Sequence, residues 1–395
     1  MKQWLNASVA LLGALILGAT VVIGMQNPPP AEVRRPAPTS TPWPTMTAST
    51  QVTIPAPPRP TSRAAIDLPT DRRGMVLATQ PDGRLSLIAQ DGARIWPLDL
   101  RQRFTNAAWS PDGRHIVAAT SDGNVLITHP ERGDAQRLLT TRQRLAGTTL
   151  IWQDPLSIVL AVEYDAAPAT IARWSYRNRE LELLGRGRAP AARNDLVAWV
   201  ALDGRSLVVQ RGAGEPEVLI RPQRLDALFA ERQAERRGEI AQSHGSALAW
   251  SADGTRLAFA AIARREGITF DWTIVVAALD GTLRHWTLRH DTAVYQLGWM
   301  PDGRLLFTDD QGLALIDPDS GAYKRLLPQQ RDVRYFALHP SGEPLLVSTA
   351  SGVYRLPTIA LEWPQVELQP FGPRTQGYQR LDWCCAQPPR PSEEP

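Results

Sequence analysis

The feature that most constrains the fold of this chain is a sequence motif that repeats along it. Residues 107–127 read "AAWSPDGRHIVAATSDGNVLI": a short run ending in Trp, a turn, an apolar segment, a second turn and another apolar segment. Pro presets the first corner of the turn, and the Gly after Asp takes the positive φ that closes a hairpin. Small and β-branched residues between the turns predict strands. These residues therefore predict three antiparallel strands.

The same motif recurs at residues 247–261, 296–317 and 336–356. The dipeptide Asp-Gly occurs eight times, beginning at Asp82, Asp91, Asp112, Asp122, Asp203, Asp253, Asp280 and Asp302. A repeat tens of residues long is the signature of a repeating architecture, and its turn residues recur because each hairpin needs them. We therefore interpret Asp112 and His115 as parts of a hairpin in an all-β repeat, and not as catalytic residues.

The segment Trp-Ser-Pro-Asp-Gly followed by a strand resembles the repeat of TolB-like β-propellers, which are relatives of the WD-repeat propellers. Residues 107–127, 247–261 and 296–317 carry this resemblance clearly, and residues 336–356 carry it more loosely. The Gly-His and Trp-Asp signature of WD repeats is missing, and sialidase-type Asp boxes place one residue between Asp and Gly, which are adjacent here. The resemblance implies a β-propeller fold. It leaves the function open, because propellers host binding modules and enzymes alike.

The spacing of the repeat gives the number of blades. The residues that end the predicted first strand of a blade are Trp109, Trp152, Trp250, Trp299 and Leu338. The 98 residues between Trp152 and Trp250 leave room for two blades and an insertion. Residues 195–220 supply the missing blade, and residues 74–100 supply an earlier one. At about 40–45 residues a blade, residues 71–384 predict a seven-bladed propeller, which fits better than six or eight blades.

The first blade, 74–100, has three strands and no Trp-bearing strand before them. Near the far end, "GYQRLDWC" (377–384) resembles "VYQLGWMP" (294–301), the first strand of the sixth blade. The Pro-rich segment upstream supplies a strand poorly, because Pro lacks the donor that a sheet interior needs. We predict that residues 378–383 complete the first blade and close the ring. The alternative is closure through residues upstream of Gly74.

An insertion at residues 221–246 interrupts the repeat. Pro222 suits the start of a helix and Gly238 suits its end, and Leu225, Leu228 and Phe229 fall on one face. Two interpretations are open. The helix caps the edge of a blade, or its apolar face binds a partner through these three residues, since loops on a rigid scaffold often carry binding.

The front of the chain predicts a location outside the cytoplasm. Residues 5–25 contain no charge and are long enough to span a bilayer. The sequence favours an uncleaved anchor over residues 1–26, with a cleaved signal peptide and a secreted protein as the alternative. Residues 27–70 contain twelve Pro, which predicts a disordered, extended Pro/Thr-rich stalk. Residues 385–395 form a predicted tail.

The distribution of charge argues against a nucleic-acid partner. The chain has a net charge of +3, of which Lys2 supplies +1 and the stalk +2, so residues 71–395 sum to zero. A nucleic-acid binder needs a concentrated basic face, and the linear sequence concentrates none. We therefore predict no nucleic-acid binding by the head.

Cysteine and histidine give no familiar site. Cys384 and Cys385 are the two cysteines; a disulfide between neighbours is uncommon, so they predict either an intermolecular bridge or two inert thiols. The six histidines lie at positions 115, 129, 244, 285, 290 and 339, and none of them forms a pair with zinc-site spacing. His285 and His290, beside Asp291, give only a weak hint of a metal. We predict no catalytic residue, no metal and no cofactor.

The sequence thus favours a function in binding. The preferred hypothesis is an extracytoplasmic scaffold that recognises a protein, peptide or glycan at the cell envelope. The alternative is an enzyme, a hydrolase or lyase, with its site in the central channel, where residues from several blades would meet without leaving a linear motif. A purely structural envelope protein is the third possibility.

Overall fold

A computed structural model gives the fold of the chain. The residues that it describes are 52–53, 68–69, 72–131, 135–165, 167–230, 237–241, 248–265, 268–288, 292–357, 368–372, 377 and 379–385. All of them belong to one compact unit, Ser49–Pro395. Residues 5–25, which carry the anchor prediction, lie outside the described residues, as does most of the predicted stalk.

The described residues form strands and one short helix. Up to the helix, the strands are β1 (Val52–Thr53), β2 (Val76–Thr79), β3 (Leu85–Ile88), β4 (Ile95–Leu98), β5 (Phe104–Trp109), β6 (Ile116–Thr120), β7 (Val125–Thr128), β8 (Ala135–Arg137), β9 (Gln143–Asp154), β10 (Ser157–Tyr164), β11 (Thr170–Ser175), β12 (Glu180–Arg186), β13 (Arg188–Arg193), β14 (Leu196–Val200), β15 (Leu207–Arg211) and β16 (Glu217–Ile220). The helix is α1 (Pro222–Ala230).

After the helix, the strands are β17 (Arg237–Ile240), β18 (Leu248–Trp250), β19 (Arg256–Arg265), β20 (Ile268–Ala278), β21 (Leu283–Thr287), β22 (Val294–Trp299), β23 (Leu305–Asp309), β24 (Gly312–Ile316), β25 (Tyr323–Arg325), β26 (Tyr335–Leu338), β27 (Leu345–Thr349), β28 (Gly352–Leu356), β29 (Gln369–Pro370) and β30 (Arg380–Trp383).

These strands form seven antiparallel sheets, which are the blades of a propeller. From the channel outwards, blade 1 is β30-β2-β3-β4 and blade 2 is β5-β6-β7-β8. Blade 3 is β9-β10-β11-β12 and blade 4 is β13-β14-β15-β16. In blade 5 the inner position is shared by β17 and β18, which both pair with β19, and β20 and β21 follow. Blade 6 is β22-β23-β24-β25 and blade 7 is β26-β27-β28-β29. The prediction of a seven-bladed, all-β propeller is confirmed.

The Asp-Gly pairs lie where the sequence predicted turns. The glycine of each pair has a positive φ, between 68° at Gly113 and 86° at Gly281 and Gly303. In the turn after β5, the Asp112 carboxylate accepts hydrogen bonds from the Ser110 hydroxyl at 2.6 Å and from the Arg114 backbone N–H at 3.1 Å. Asp112 is thus a turn residue, as predicted.

In four blades, the Trp near the end of the inner strand donates a hydrogen bond to a backbone carbonyl of the blade before it. The Trp152 indole N–H donates to the Ala108 carbonyl of blade 2 at 3.2 Å. Trp299 of blade 6 makes the same bond to Ala249 of blade 5 at 2.8 Å. Seven apolar clusters fill the seven interfaces between neighbouring blades. The core is therefore a ring of interfaces around the channel.

The two ends of the propeller meet in blade 1. Strand β30 pairs antiparallel with β2, and Trp383 lies opposite Val76. The Trp383 indole donates to the Ala337 carbonyl of blade 7 at 3.0 Å, which is the contact that blades 3, 5 and 6 make with the blades before them. The predicted closure is confirmed over Arg380–Trp383, while Tyr378 lies outside the described residues.

The insertion differs from its prediction at one end. The helix begins at Pro222, as expected, but it ends at Ala230, and Gly238 lies in β17 instead of ending the helix. A Cβ on Gly238 would lie 2.9 Å from the Leu225 backbone. Gly238 is therefore a close-approach position, where the missing side chain lets α1 pack directly on a strand.

Two further features add to the predicted picture. Val52 and Thr53, inside the predicted stalk, form β1 and extend the outer edge of blade 3 by pairing with β12; an outer edge offers unpaired backbone groups to such an addition. Cys384 and Cys385 are joined to each other by a disulfide. This bond is neither of the two states that the sequence predicted for them.

Candidate functional site

The central channel contains a polar cavity. Its volume is about 140 Å³. Its walls come from the inner strands of five blades, and the lining residues are Asn106, Thr148, Thr149, Leu150, Ile151, Gln296, Tyr335, Arg380 and Leu381. Residues that are far apart in the chain therefore meet at one place on the propeller axis.

Several of these residues occupy one equivalent position in their blades. This position lies three residues before the Trp near the end of the inner strand, or before Leu338, which replaces that Trp in blade 7. It is occupied by Asn106, Thr149, Gln296, Tyr335 and Arg380. The inner strands run in the same direction around the axis, so equivalent positions lie at similar depth. The repeat thus builds a polar layer in the channel.

Arg380 contributes the positive charge of this layer. Its guanidinium carbon lies 5.4 Å from the centre of the Tyr335 ring of blade 7. Its Nη1 donates a hydrogen bond of 3.5 Å to the Thr148 hydroxyl of blade 3. These contacts hold the guanidinium across the cavity from blade 1, and a cation over an aromatic face is stabilised by the ring quadrupole.

Backbone irregularities and amides fix the rest of the wall. Strand β9 contains a bulge: Leu160 and Val162 of β10 pair with Leu150 and Leu145 of β9, so β9 has extra residues between these partners. Thr148 and Thr149 belong to this bulge and line the channel. The Asn106 amide donates to the Thr148 carbonyl at 2.8 Å. Gln296 exchanges two bonds of 2.9 Å with the Phe336 backbone of the next blade. The wall is thus hydrogen-bonded between blades.

Asp382 follows the cavity wall along β30. Its position in the repeat is held elsewhere by Ala108, Ile151, Ala191, Ala249, Gly298 and Ala337. Its carboxylate accepts a hydrogen bond of 2.7 Å from the Trp109 backbone N–H. The residue keeps some accessible surface, but protein surrounds the carboxyl, and this burial raises the pKa of Asp382 to about 7. Asp382 therefore titrates near neutral pH.

Arginines also recur where the inner strands begin, at one mouth of the channel. Arg103 precedes β5, Arg144 is the second residue of β9, and both side chains are exposed. The Arg188 Nη2 lies 3.9 Å from the Glu163 carboxylate, and Arg334 lies over the Tyr295 ring at 4.8 Å. Arg103 and Arg144 thus add positive charge at this mouth, whereas the charge of Arg188 is already matched by Glu163.

A larger groove of about 500 Å³ lies between the outer strands of blades 5 and 6. Trp286 and Tyr323 stand on its two walls. Arg325 also lines it, but its guanidinium forms a two-pronged pair with the buried Asp309 carboxylate at 2.6 and 2.8 Å. That positive charge is already matched, and the rest of the lining combines the two aromatic rings with polar and apolar side chains and a second arginine, Arg331. The channel, where residues of five blades meet around Arg380, is the stronger candidate for recognition of a charged group.

The predicted partner-binding residues lie largely inside the fold. Leu225 and Phe229 are 0% and 3% exposed in the core between blades 4 and 5, and Leu228 is half-buried against it. The Asp226 carboxylate accepts from the Gly238 N–H at 2.9 Å and anchors the helix. This is the arrangement that the capping interpretation predicts, and partner contact through these three residues stays a prediction.

The histidines are brought together differently from the sequence expectation. His115 and His129 lie with their Nε2 atoms 3.1 Å apart. His285 is exposed on β21, while His244 and His290 lie outside the described residues. Within the described ranges, no group of three or more His, Cys, Asp or Glu side chains is placed to hold a metal ion.

The sequence reasoning missed the channel residues. The signal was present, because the aligned repeats put a polar residue three places before the Trp in several blades. Asn106, Gln296 and Arg380 share that offset. None of them stands in a local motif, so only the alignment of blades around an axis brings them together.

No helix in the described part of the chain has the length and apolarity to cross a membrane. The anchor prediction for residues 5–25 falls outside that part of the chain.

Comparison with protein families gives one match. The family described as the Anaphase-promoting complex subunit 4 WD40 domain matches residues 74–155. A search of curated proteins found no match.

Among solved structures, an oligogalacturonate lyase from Vibrio parahaemolyticus is 14% identical, with 77% of this chain and 95% of that chain covered and a TM-score of 0.48. TolB from Acinetobacter baumannii is 15% identical, with 80% and 68% covered and a TM-score of 0.45. The Cps50 (Swd1) β-propeller domain of Myceliophteria thermophila is 14% identical, with 71% and 90% covered and a TM-score of 0.47.

The fold rests on seven antiparallel sheets, on the apolar clusters that fill the interfaces between them, and on the WD40 family match over residues 74–155. The chain is a seven-bladed β-propeller whose repeats resemble those of TolB-like and WD-repeat propellers.

Proposed function

We propose that this propeller is a ligand-binding head whose central channel receives an acidic group of its ligand. The observation that carries the proposal is Arg380, held across a polar cavity by Tyr335 and Thr148. A guanidinium is a planar fork of donors that matches a carboxylate or phosphate, and orientation before binding lowers the entropy cost of recognition.

The size of the cavity limits what enters it. Pockets that hold a whole drug-sized ligand measure about 300–1,000 Å³, whereas this cavity measures about 140 Å³. A single acidic head group fits that volume. The ligand is therefore a protein, peptide or glycan that inserts one acidic end into the channel and lies across the basic mouth with the rest of its length.

The location is part of the same proposal. The uncharged run 5–25 and the Pro-rich segment 27–70 support a head held outside the cytoplasm on a membrane anchor, or a secreted head if the first segment is cleaved. The test is fractionation of cells followed by external protease. Sedimentation with membranes and release of a folded head support the anchor, and full-length protein in the soluble cytoplasm contradicts it.

The binding proposal is tested with a matched pair of small probes. D-Glucuronate carries a carboxylate where D-glucose carries a hydroxymethyl group, and both are titrated calorimetrically into the full-length protein. We expect measurable binding of glucuronate, weaker or no binding of glucose, and at least a tenfold loss of glucuronate affinity in Arg380→Gln. Arg94→Gln, at an exposed turn of blade 1, is the control and should bind as the wild type does.

Inorganic phosphate is the second acidic probe, and it distinguishes a site for carboxylates from a site for phosphates. Equal binding of glucuronate and glucose would contradict the proposal, as would unchanged acid binding in Arg380→Gln.

One observation favours the alternative of an enzyme with a site in the channel. Asp382 lies two residues from Arg380 along β30, beside the cavity wall, and its pKa is about 7. A carboxyl with that pKa can act as a general acid near neutral pH where a ligand reaches it, although protein encloses this carboxyl in the structure. Incubation with 4-nitrophenyl β-D-glucuronide tests this alternative. Release of nitrophenol that is lost in Asp382→Asn supports an enzyme, whereas binding of glucuronate without release supports a binding head.

A further inference from the structure

The histidine pair lies at the open end of a hairpin, away from the channel cavity. Ile116 and Thr128 are opposite each other in β6 and β7. His115 precedes Ile116 and His129 follows Thr128, so the two histidines continue the ladder by one pair. The register thus explains why residues fourteen positions apart point their rings at one another.

The rings are close and partly enclosed. Their Nε2 atoms lie 3.1 Å apart and their centres 4.2 Å apart. The Tyr176 ring of blade 3 lies 4.5 Å from the His115 ring, centre to centre, and His115 is only 6% exposed. His129 is half-buried. One side of the pair is therefore set in the interface between blades 2 and 3, and the other remains accessible.

The distance between the two nitrogens suits two ligands of one metal ion. Imidazole nitrogens bind Zn²⁺ at about 2.0–2.1 Å. With 3.1 Å between the nitrogens, the N–metal–N angle would be about 98°. This value lies between the right angle of square-planar or octahedral geometry and the tetrahedral angle. Neighbouring coordination positions of a transition metal thus match the pair without movement of the backbone.

We propose that His115 and His129 form a two-histidine site for an exchangeable divalent transition metal of the Cu²⁺, Ni²⁺ or Zn²⁺ class. Imidazole is a ligand suited to these ions, whereas Mg²⁺ and Ca²⁺ prefer oxygen ligands. Water or a ligand from solution completes the coordination on the accessible side. The site is independent of the proposed acid-binding channel.

Binding replaces a proton between the rings. In the metal-free neutral pair, one Nε2 donates its hydrogen to the other. Both nitrogens must offer a lone pair to the metal, so the hydrogen leaves the donating Nε2 and the Nδ1 of that ring is protonated instead. A protonated pair must release one proton instead, because only the neutral imidazole binds a metal, and metal affinity therefore falls on acidification.

The test uses full-length protein without a purification tag, treated with chelator and titrated with CuCl₂, NiCl₂, ZnCl₂ or MgCl₂. We expect one equivalent of Cu²⁺, Ni²⁺ or Zn²⁺ to bind and no Mg²⁺. His129→Gln and His115→Gln should each lower the affinity at least tenfold. His285→Gln, on an exposed strand, is the matched control and should leave binding unchanged.

Two readouts separate this site from a loss of folding or from other ligands. The electron paramagnetic resonance spectrum of the Cu²⁺ complex should show coupling to two imidazole nitrogens. His129→Gln changes only a half-buried side chain, so the metal affinity of this variant can be measured even if His115→Gln unfolds the protein. A thermal melt of each variant shows whether it is folded. Absence of stoichiometric binding, or full binding in both variants, overturns the proposal.

Discussion

Blade 1 and blade 6 reach the same four-stranded sheet by different routes. Blade 6 comes from one continuous stretch, β22 to β25, whereas blade 1 takes β30 from near the end of the chain and β2 to β4 from its front. In both blades the inner strand ends in a Trp whose indole donates to the preceding blade, at 2.8 Å from Trp299 and 3.0 Å from Trp383. The blade is thus defined by its interfaces and not by continuity of the chain.

The two blades differ just after that Trp. In blade 6, Gly298 precedes Trp299, and a Pro-Asp-Gly turn after Met300 leads into the next strand. Trp383 is preceded by Asp382 and followed by the joined cysteines. Because the strand beside β30 is β2, which comes from the front of the chain, β30 needs no turn into its neighbour, and residues of another kind occupy these positions.

The largest expected effect comes from removing the strand that closes the ring. Deletion from Gly377 onward should lower the free energy of unfolding of the whole head by several kcal/mol. Loss of a buried Trp alone costs about 3–5 kcal/mol, and the ladder to β2 and the interface with blade 7 are lost with it. Urea denaturation measures the change.

Deletion from Ala386 onward is the matched control for this truncation, because it keeps β30 and both cysteines. We expect it to change the unfolding free energy by less than about 0.5 kcal/mol, as surface changes usually do. Equal stability of the two truncations would show that the seam contributes no more than the tail.

The sequence predicts the strand that closes the seam, but not the roles of the polar residues on it. Trp383 and the turn spacing identified β30, because a repeat makes a missing strand visible. Asp382 and Arg380 could not be assigned roles, since their neighbours Trp109, Tyr335 and Thr148 come from three other blades. The pairing of His115 with His129 was implied by the hairpin register, but a search for zinc-site spacing along one chain segment does not detect cross-strand neighbours.

The second effect compares the two tryptophans directly. Trp383→Ala should cost about 3–5 kcal/mol, the range for a buried aromatic side chain, because Trp383 is 5% exposed and contacts blade 7. Trp299→Ala should cost less, since Trp299 is only half-buried and Arg256 lies 5.1 Å from its ring centre. Chemical denaturation of both variants gives the order. The reverse order would mean that the seam is the more loosely packed interface.

The third effect is a pH dependence that blade 6, with Gly298 in the equivalent position, lacks. The pKa of Asp382 is raised by burial to about 7, above about 3.9 for an unfolded Asp. Between these values the folded state binds more protons than the unfolded state, so stability falls as the pH rises from about 4 to about 7 and is then level.

Asp382→Asn should remove this dependence and raise the melting temperature at pH 8 relative to the wild type. Asp302→Asn, in the exposed turn of blade 6, is the control and should keep the slope. Melting temperatures recorded from pH 4 to pH 8 test the assignment, and an unchanged slope in Asp382→Asn would refute it.

The smallest expected effect belongs to the disulfide, although it lies beside the seam. A bridge between adjacent residues encloses almost no chain, so it removes little entropy from the unfolded state. Cys384 is buried, and its sulfur would lie 2.8 Å from a Cβ on Gly113 of blade 2, so the cysteines contribute mainly by packing. Replacement of both by Ala should cost about 1 kcal/mol, the scale of small core truncations. A loss as large as that of the Gly377 truncation would mean that the cysteines, and not the β30–β2 ladder, hold blade 1 closed.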